Sequence, residues 1–193
     1  MMGHLEKLGR RLVFKGEIVD LYKDLVELPD GARQEWDFVC HKNGGGAAIV
    51  PVLPDGRILL IRQYRPAVDK TLIELPAGGR DGKSEDTVVT ARRELLEETG
   101  YTASQFIRIA HLLTAPAYCN EFTDVYLAEN IEKVQGQHLD EAEEIRLFTL
   151  TPEEAAGKVF SGEITDAKTA AGITAYLAWK AQRREIGQQG RIQ

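Results

Sequence analysis

The stretch Gly79-Arg80-Asp81-Gly82-Lys83-Ser84-Glu85, followed after seven residues by Arg93-Glu94-Leu95-Leu96-Glu97-Glu98-Thr99-Gly100, decides the fold of this chain. Between its two halves, apolar residues recur with helical spacing at Val88, Ala91 and Leu95, and residues 85–99 contain neither Gly nor Pro. The pattern predicts a helix over residues 85–99. Gly100 is predicted to end this helix in the left-handed conformation, which glycine adopts without steric cost.

Three glutamates occupy the end of the predicted helix. At ~100° of rotation per residue, Glu94, Glu97 and Glu98 lie on one side of its last turns. Acidic side chains at this end face the negative pole of the helix dipole and repel one another. A hard divalent cation would convert that repulsion into binding, so the arrangement predicts a metal site with oxygen ligands.

The spacing of the stretch resembles the Nudix box of the nucleoside-diphosphate-X hydrolases. Gly79 and Glu85 are separated by five residues, and Arg93-Glu94-Leu95 follows after seven more, with Glu97-Glu98 and Gly100 in register. Tyr101 replaces the usual aliphatic residue, and the run Leu75-Pro76-Ala77-Gly78-Gly79 leaves Gly78 and Gly79 both open as the first glycine. The resemblance implies an α/β fold in which a mixed sheet lies between helices.

The resemblance also implies roles for the residues of the box. Glu94 and Glu98 are expected to bind Mg²⁺ or Mn²⁺ directly, with Glu97 as a further ligand or a neighbouring catalytic group. Arg93 is expected to orient the glutamates, because Arg93 and Glu97 stand four residues apart on one helix. Glu85 is expected to brace the loop of the box, and a backbone carbonyl, that of Gly78 or of Ala77, is expected to contact the metal.

The general base in such hydrolases is often a glutamate from a separate loop. Residues 139–144 supply three candidates, namely Glu141, Glu143 and Glu144. The segment Glu143-Glu144-Ile145-Arg146 is similar to the corresponding family segment, which favours Glu143 as the catalytic base.

The composition excludes several other classes of protein. The net charge is −6, from 24 basic and 30 acidic residues, and no basic tract stands out, which argues against a general nucleic-acid binder. Two cysteines, Cys40 and Cys119, suit a reducing compartment rather than a disulfide framework. No apolar run approaches the ~20 residues of a membrane span. These features predict a cytoplasmic protein without a membrane partner.

The chain divides into three predicted parts. Residues 1–43 are predicted to form a β meander, with strands at 12–14, 18–28 and 35–39 and a turn at Pro29-Asp30-Gly31. Residues 44–187 are predicted to form the hydrolase domain, and residues 188–193 a disordered tail. Asn43-Gly44-Gly45-Gly46 is interpreted as a flexible hinge between the first two parts. A meander this small cannot bury both of its faces, so it is expected to pack against a second copy in a homodimer.

The hydrolase domain is predicted to begin with a hairpin. Strands at 47–53 and 57–64 flank the turn Pro54-Asp55-Gly56, and a short strand at 72–75 precedes the box. Further strands are predicted near residues 106–113, 122–128 and 145–150. Helices are predicted from about residue 153 and over residues 167–182.

Residues outside the box resemble the ADP-ribose pyrophosphatase subfamily. Pro116 lies sixteen residues beyond Gly100, as in that subfamily, and Arg62 and Arg65 precede Glu74 in a similar pattern. The planar fork of arginine suits pyrophosphate oxygens, and Glu74 suits a ribose hydroxyl or a supporting role at the metal site. In related enzymes an aromatic residue of the appendage stacks on adenine, a role predicted here for Trp36 with Asp37 beside it.

The predicted activity is therefore metal-dependent hydrolysis of a small-molecule nucleoside diphosphate sugar, with ADP-ribose as the first substrate. GDP-mannose is the alternative, because its hydrolases share the appendage and much of the architecture. A non-catalytic sensor of ADP-ribose is the alternative from another class. Such sensors usually lose box glutamates, and this chain keeps every charged position of the box.

Overall fold

The N-terminal part of the protein is a small antiparallel sheet. The computed structural model describes residues 4–139 and 144–189. Within the first range, β1 (Glu6–Lys15), β2 (Val19–Glu27) and β3 (Arg33–His41) pair in the order β1-β2-β3. The predicted three-stranded meander is confirmed, and Gly31 adopts a φ of 84° in the turn between β2 and β3. Strand β1 is exposed along its whole length.

The main sheet contains seven strands in the order β12-β5-β4-β10-β9, with β6 paired to β5 and β7 to β4. Strand β10 runs parallel to β4 and the other pairs are antiparallel, so the sheet is mixed. Two further short strands, β8 and β11, pair with each other. The bounds are β4 (Gly45–Val52), β5 (Ile58–Arg65), β6 (Lys70–Glu74), β7 (Ala77–Gly79), β8 (Tyr101–Thr102), β9 (Ile107–Leu113), β10 (Phe122–Glu129), β11 (Glu132–Lys133) and β12 (Ile145–Leu150).

Helices cover both faces of the main sheet. Helix α1 (Thr87–Thr99) packs on one face, and α2 (Pro152–Phe160) and α3 (Ala167–Gln189) pack on the other. Because side chains alternate along a strand, Ala47 and Ile49 of β4 face α1, whereas Ala48 and Val50 belong to the core beneath α2 and α3. The predicted α/β/α sandwich is confirmed.

Helix α1 begins and ends at residues suited to those positions. The Asp86 carboxylate accepts the backbone N–H of Val88 at 3.2 Å, which caps the helix one residue after the predicted start of the segment. Gly100 has a φ of 74° and donates its N–H to the carbonyl of Leu96 at 2.8 Å. A Cβ on Gly100 would lie 2.3 Å from the carbonyl oxygen of Gln135, so no other residue fits there.

The hinge interpretation of residues 43–46 is wrong. Gly45 and Gly46 are the first residues of β4 and pair with β10 and β7. A Cβ on Gly45 would lie 2.1 Å from the carbonyl oxygen of Phe122, and one on Gly46 would lie 2.0 Å from that of Gly78. The glycines therefore allow three strands to approach closely and do not provide flexibility.

The C-terminal helix reaches residue 189. The tail predicted at residues 188–193 overlaps α3 by two residues, and its other residues lie outside the described ranges. In the part of the chain that the structure describes, no helix has both the length and the apolar character of a membrane span.

Candidate active site

The three box glutamates differ in their exposure. Glu94 and Glu98 are buried, with 9% and 2% of their surface exposed. The side chain of Glu97 is 44% exposed. Glu94 and Glu98 are four residues apart, so both lie on the side of α1 that packs against β7, whereas Glu97 lies at its edge. Two buried carboxylates on one helix face require compensation from neighbouring donors or a cation.

The backbone of β7 faces these two carboxylates. Ala77 donates its N–H to Glu98 Oε2 at 3.0 Å. A Cβ on Gly78 would lie 2.1 Å from Glu94 Oε1, so Gly78 gives the carboxylate its place against the strand. A Cβ on Gly79 would meet no atom within 4 Å. Of the two glycines that the sequence leaves open, Gly78 is the one that the packing requires.

Arg93 connects the glutamates to the loop of the box. Its Nη1 donates to Glu94 Oε1 at 2.6 Å and to Glu97 Oε2 at 3.3 Å, and its Nη2 donates to the carbonyl of Gly79 at 2.9 Å. Burial lowers the pKa of Arg93, but the surrounding carboxylates, with Glu94 foremost, raise it more, so the pKa lies above its usual value. This geometry supports the predicted orienting role.

Glu85 closes the loop that leads into α1. Its Oε2 accepts the backbone N–H of Asp81 at 2.9 Å and the hydroxyl of Thr90 at 2.8 Å. These two hydrogen bonds hold the pKa of Glu85 below its usual value, and the one from Asp81 has the larger effect. Arg80 completes the loop by donating to the carbonyl of Lys83 at 2.8 Å. The contacts support the predicted bracing role for Glu85.

The donor set suits a hard divalent cation that keeps few protein ligands. Within residues 4–139 and 144–189, no three His, Cys, Asp or Glu side chains are gathered as a metal site. The site offers two buried carboxylates and the more exposed Glu97, all of them oxygen ligands, packed against the backbone of β7. Mg²⁺ is commonly held by one or two carboxylates, with waters and substrate phosphates as its other ligands. The carboxylate of Glu94 also lies directly against the backbone of Gly78. These residues fit such an ion.

A cavity of about 400 Å³ opens beside β7. Its walls come from the start of β4, the end of β3, the loop at 114–121 and the first turn of α3. The volume lies within the ~300–1,000 Å³ typical of ligand pockets. Besides the β7 backbone, the polar lining residues are His41, Arg65, Thr114, Glu121, Thr123, Asp166 and Lys168.

A network of charged side chains lies at one wall of this cavity. Arg65 donates twice to the carboxylate of Glu74, at 2.8 Å each, and Lys168 Nζ lies 2.5 Å from the same group. Glu74 is 1% exposed. Burial raises the pKa of Glu74, but its two cationic partners lower it further, so the pKa lies below its usual value. Glu74 thus holds Arg65 at the cavity wall, which fits a supporting role at the site.

Arg62 lies away from Arg65. The two arginines are three residues apart on β5, so their side chains leave opposite faces of the sheet. Arg62 stacks over Phe148 with its Cζ 4.9 Å from the ring centre. It lines a separate exposed cleft with Tyr64, Thr71, Glu144 and Arg146.

The residues predicted to contact the base also lie outside the lining of the cavity. Trp36 is partly exposed on β3 and donates its indole N–H to Gln34, and Asp37 pairs with Lys23 at 2.6 Å.

Pro116 is exposed in the loop at 114–121. This loop contacts the small sheet, because the N–H of Val39 donates to the carbonyl of Tyr118 at 2.7 Å.

The candidates for the general base are largely outside the described part of the chain. Glu141 and Glu143 lie in residues 140–143, beyond the described ranges. Glu144 is described, and its exposed carboxylate pairs with Arg146 at 2.8 Å. Glu143 therefore stays a prediction from the sequence.

Comparison with known proteins decides the family. A model of the NUDIX domain matches residues 42–171, which include the box, strands β4 to β12 and the start of α3. The chain belongs to the Nudix family. Its similarity to ADP-ribose pyrophosphatases shows that it is a pyrophosphohydrolase. Members of this family generally depend on divalent metal ions.

Individual relatives of this Nudix chain cover most of its length. It is 37% identical over 174 residues to an ADP-ribose pyrophosphatase of Bacillus subtilis, covering 90% of this chain and 92% of the relative. It is 32% identical over 154 residues to a GDP-mannose pyrophosphatase of Cronobacter sakazakii, covering 72% and 80%. A crystal structure of an ADP compounds hydrolase matches with a TM-score of 0.82 at 20% identity, covering 94% of this chain and 97% of that one, and shows the shared fold.

Several polar residues at or next to the cavity were not predicted from the sequence. Lys168 and Thr169, in the first turn of α3, contact Glu74 and Leu75, ninety-four positions earlier in the chain. Asp166, just before α3, accepts hydrogen bonds from both Lys168 and Thr169. His41 and Glu121 line the same cavity. Asp166 could be recognised from the sequence as a helix cap, since Asp commonly precedes a first turn, but the contacts of α3 with Glu74 and Leu75 could not.

Proposed function

We propose that this enzyme hydrolyses the pyrophosphate bond of ADP-ribose, giving AMP and ribose 5-phosphate, and depends on Mg²⁺ or Mn²⁺. The observation that carries the proposal is the packing of two buried glutamates against the β7 backbone, beside a cavity of about 400 Å³. An ordinary solvated helix face would not bury two carboxylates. The 37% identity to an ADP-ribose pyrophosphatase over 90% of the chain supports the choice of substrate.

Each box residue has a distinct part in this proposal. Glu94 and Glu98 would hold the cation, together with the carbonyl of Gly78 or Ala77. When bound, the cation neutralises pyrophosphate oxygens and lowers the pKa of the attacking water. Arg93 keeps the carboxylates of Glu94 and Glu97 oriented through its hydrogen bonds to both. Glu97 is the more exposed of the three and is the one best placed to contact solvent water.

The cavity wall supplies contacts for the rest of the substrate. Arg65 is proposed to bind phosphate oxygens with the part of its guanidinium that remains exposed at the cavity. Its bidentate bond to Glu74 fixes its direction, so little side-chain entropy is lost when a ligand binds. Pro116, in the loop that carries Thr114 and Glu121 to the cavity, is proposed to shape that loop over the substrate. Arg62 stays a candidate only for a part of the substrate outside this cavity.

We propose Glu143 as the general base. The box acids are committed to the cation and to Arg93, so the attacking water requires a carboxylate from elsewhere. Glu143→Gln is expected to lower kcat by at least about a hundredfold and to leave KM within a few-fold, because the loss falls on the chemical step. Steady-state kinetics with Glu141→Gln and Glu144→Gln as matched controls test this. If Glu143→Gln keeps the wild-type kcat while Glu141→Gln or Glu144→Gln loses it, the general base is that neighbouring residue and not Glu143.

A homodimer is proposed for the N-terminal sheet. Apolar side chains along its strands remain exposed, and a three-stranded sheet this small gains stability by covering them. Those that support the proposal are Leu8, Leu12, Phe14, Val19 and Leu25 on the strands and Ile18 just before β2. Trp36 and Asp37 would then reach the adenine of a substrate bound by the partner. Sedimentation should show a dimer that loses both assembly and activity when residues 1–42 are deleted, whereas a fully active monomer would contradict it.

The substrate is tested with a panel. ADP-ribose, GDP-mannose, ADP-glucose, NADH and diadenosine polyphosphates are each assayed with Mg²⁺ and with Mn²⁺. ADP-ribose is expected to give the highest kcat/KM. GDP-mannose is the second candidate, supported by the 32% identity to a GDP-mannose pyrophosphatase. Tight ADP-ribose binding without turnover would instead identify a sensor.

The two cysteines, neither in a disulfide, support the proposal that the enzyme works in the cytoplasm.

A further inference from the structure

We propose that Thr169, in the first turn of α3, is a positioning residue for the glutamate site and acts on it through residues 75–78. The inference rests on the proposed metal-dependent hydrolysis. Thr169 lies neither in the Nudix box nor among the residues that the sequence analysis assigned to the site. Its contacts show how the opposite face of the sheet supports the strand on which Glu94 and Glu98 rest.

The Thr169 hydroxyl holds the main chain of Leu75. Its Oγ1 accepts the backbone N–H of Leu75 at 2.8 Å, and both residues are fully buried. The same hydroxyl donates to Asp166 Oδ2 at 2.5 Å, and that carboxylate oxygen also accepts the N–H of Thr169 at 3.0 Å. The hydroxyl hydrogen is therefore directed at Asp166, and a lone pair faces Leu75. Leu75 follows the last residue of β6, so its N–H depends on this acceptor.

The side chain of Leu75 is held by the same helix. A Cβ on Gly172 would lie 2.6 Å from Leu75 Cδ1 and 3.2 Å from Val125 Cγ1. A side chain at position 172 would require Leu75 to shift, so glycine allows the two to lie this close. Glycine inside a helix is less favourable than alanine, so its presence here is consistent with a need for close packing. Thr169 and Gly172 thus fix Leu75 by its main chain and its side chain independently.

The backbone between Leu75 and the residues that contact the glutamates is constrained. Pro76 has a restricted φ, and its carbonyl accepts the N–H of Ile49 at 2.9 Å. The next residue, Ala77, donates to Glu98, and Gly78 contacts the carboxylate of Glu94. Residues in an extended chain advance ~3.3 Å each. Leu75, which Thr169 binds, is therefore only two or three extended residues from Ala77 and Gly78, which contact the glutamates. A shift of Leu75 is therefore passed to both carboxylates.

The preceding residue is tied to α3 in the same way. Glu74 pairs with Lys168 Nζ at 2.5 Å, and Leu75 bonds to Thr169. Two consecutive residues of α3 hence hold Glu74, the last residue of β6, and Leu75, which follows it. Partners that orient ligands typically change metal affinity or activity by about 10–100-fold when they are removed, and the same range is expected for Thr169.

The experiment compares Thr169→Val, Thr169→Ser and Thr174→Val. Valine keeps the branched shape but removes the acceptor of the Leu75 N–H, whereas serine retains it. Thr174 is the matched control, since its hydroxyl donates to the carbonyl of Ala170 on the exposed side of the same helix. Mn²⁺ affinity is measured by electron paramagnetic resonance without substrate, and kcat by ADP-ribose hydrolysis, both at a temperature where circular dichroism shows every variant folded.

Thr169→Val is expected to weaken Mn²⁺ binding and to lower kcat by about tenfold each, with Thr169→Ser and Thr174→Val within about twofold of wild type. Wild-type Mn²⁺ affinity and kcat in Thr169→Val, with only a lower melting temperature, would overturn the inference and leave Thr169 a structural residue. If Thr169→Val does not fold, Gly172→Ala displaces Leu75 with the hydroxyl intact, and the same two outcomes decide. A wild-type enzyme that neither binds Mn²⁺ nor hydrolyses ADP-ribose contradicts the proposed function itself.

Discussion

Replacement of Glu98 by Gln will lower kcat for ADP-ribose by about two orders of magnitude or more, equivalent to about 2.7 kcal/mol of transition-state stabilisation. Glu98 is 2% exposed, and its Oε2 accepts the N–H of Ala77. Glutamine has the same shape and its amide oxygen can still accept this N–H, so β7 should stay in place. The substitution removes only the negative charge that a cation requires. Steady-state kinetics at saturating Mg²⁺ measure the effect.

The matched control is Glu132→Gln, which removes a carboxylate from an exposed position on β11. It should retain the wild-type kcat. A near-wild-type kcat in Glu98→Gln would show that the metal ligands lie elsewhere in the chain.

Gly78→Ala is expected to reduce kcat by at least about a hundredfold, whereas Gly79→Ala should remain within a few-fold of wild type. The added methyl at position 78 would lie 2.1 Å from Glu94 Oε1, so the carboxylate or the strand must move. The methyl at position 79 meets no atom within 4 Å, and the carbonyl of Gly79 can still accept from Arg93. The two variants differ by one position and share the same chemistry.

This pair of variants also determines which glycine the box requires. Equal activities of Gly78→Ala and Gly79→Ala would contradict the packing of Glu94 against β7. Loss of activity in Gly79→Ala alone would assign the critical position to the glycine that matches the spacing of the box. Circular dichroism on both proteins separates a misplaced carboxylate from a misfolded chain.

Local patterns in the sequence predicted α1 and the place of its glutamates. Helical spacing, the absence of Gly and Pro, and the terminal Gly100 act over a few residues, and the structure follows them from Thr87 to Thr99. The separation of Arg62 from Arg65 was also predictable, because residues three apart on a strand point to opposite faces. The motif resemblance placed both arginines at the substrate, and the structure brings only Arg65 to the cavity.

Contacts between distant segments were beyond local patterns. Asn43-Gly44-Gly45-Gly46 has the composition of a hinge, yet Gly45 and Gly46 are needed because the carbonyls of Phe122 and Gly78 lie where their side chains would be. Nothing near Thr169 in the sequence indicates that its hydroxyl bonds to Leu75, ninety-four residues earlier. Such pairings depend on how the strands and helices stack, which propensity and periodicity do not specify.

The most direct measurement is hydrolysis of ADP-ribose by the wild-type enzyme before chelation, after exhaustive chelation, and after Mg²⁺ or Mn²⁺ is restored. Products are separated by ion-exchange chromatography. The account predicts AMP and ribose 5-phosphate in equal amounts, no turnover after chelation, and recovery with either cation. Undiminished hydrolysis after chelation, or no hydrolysis of ADP-ribose with either cation, would contradict it.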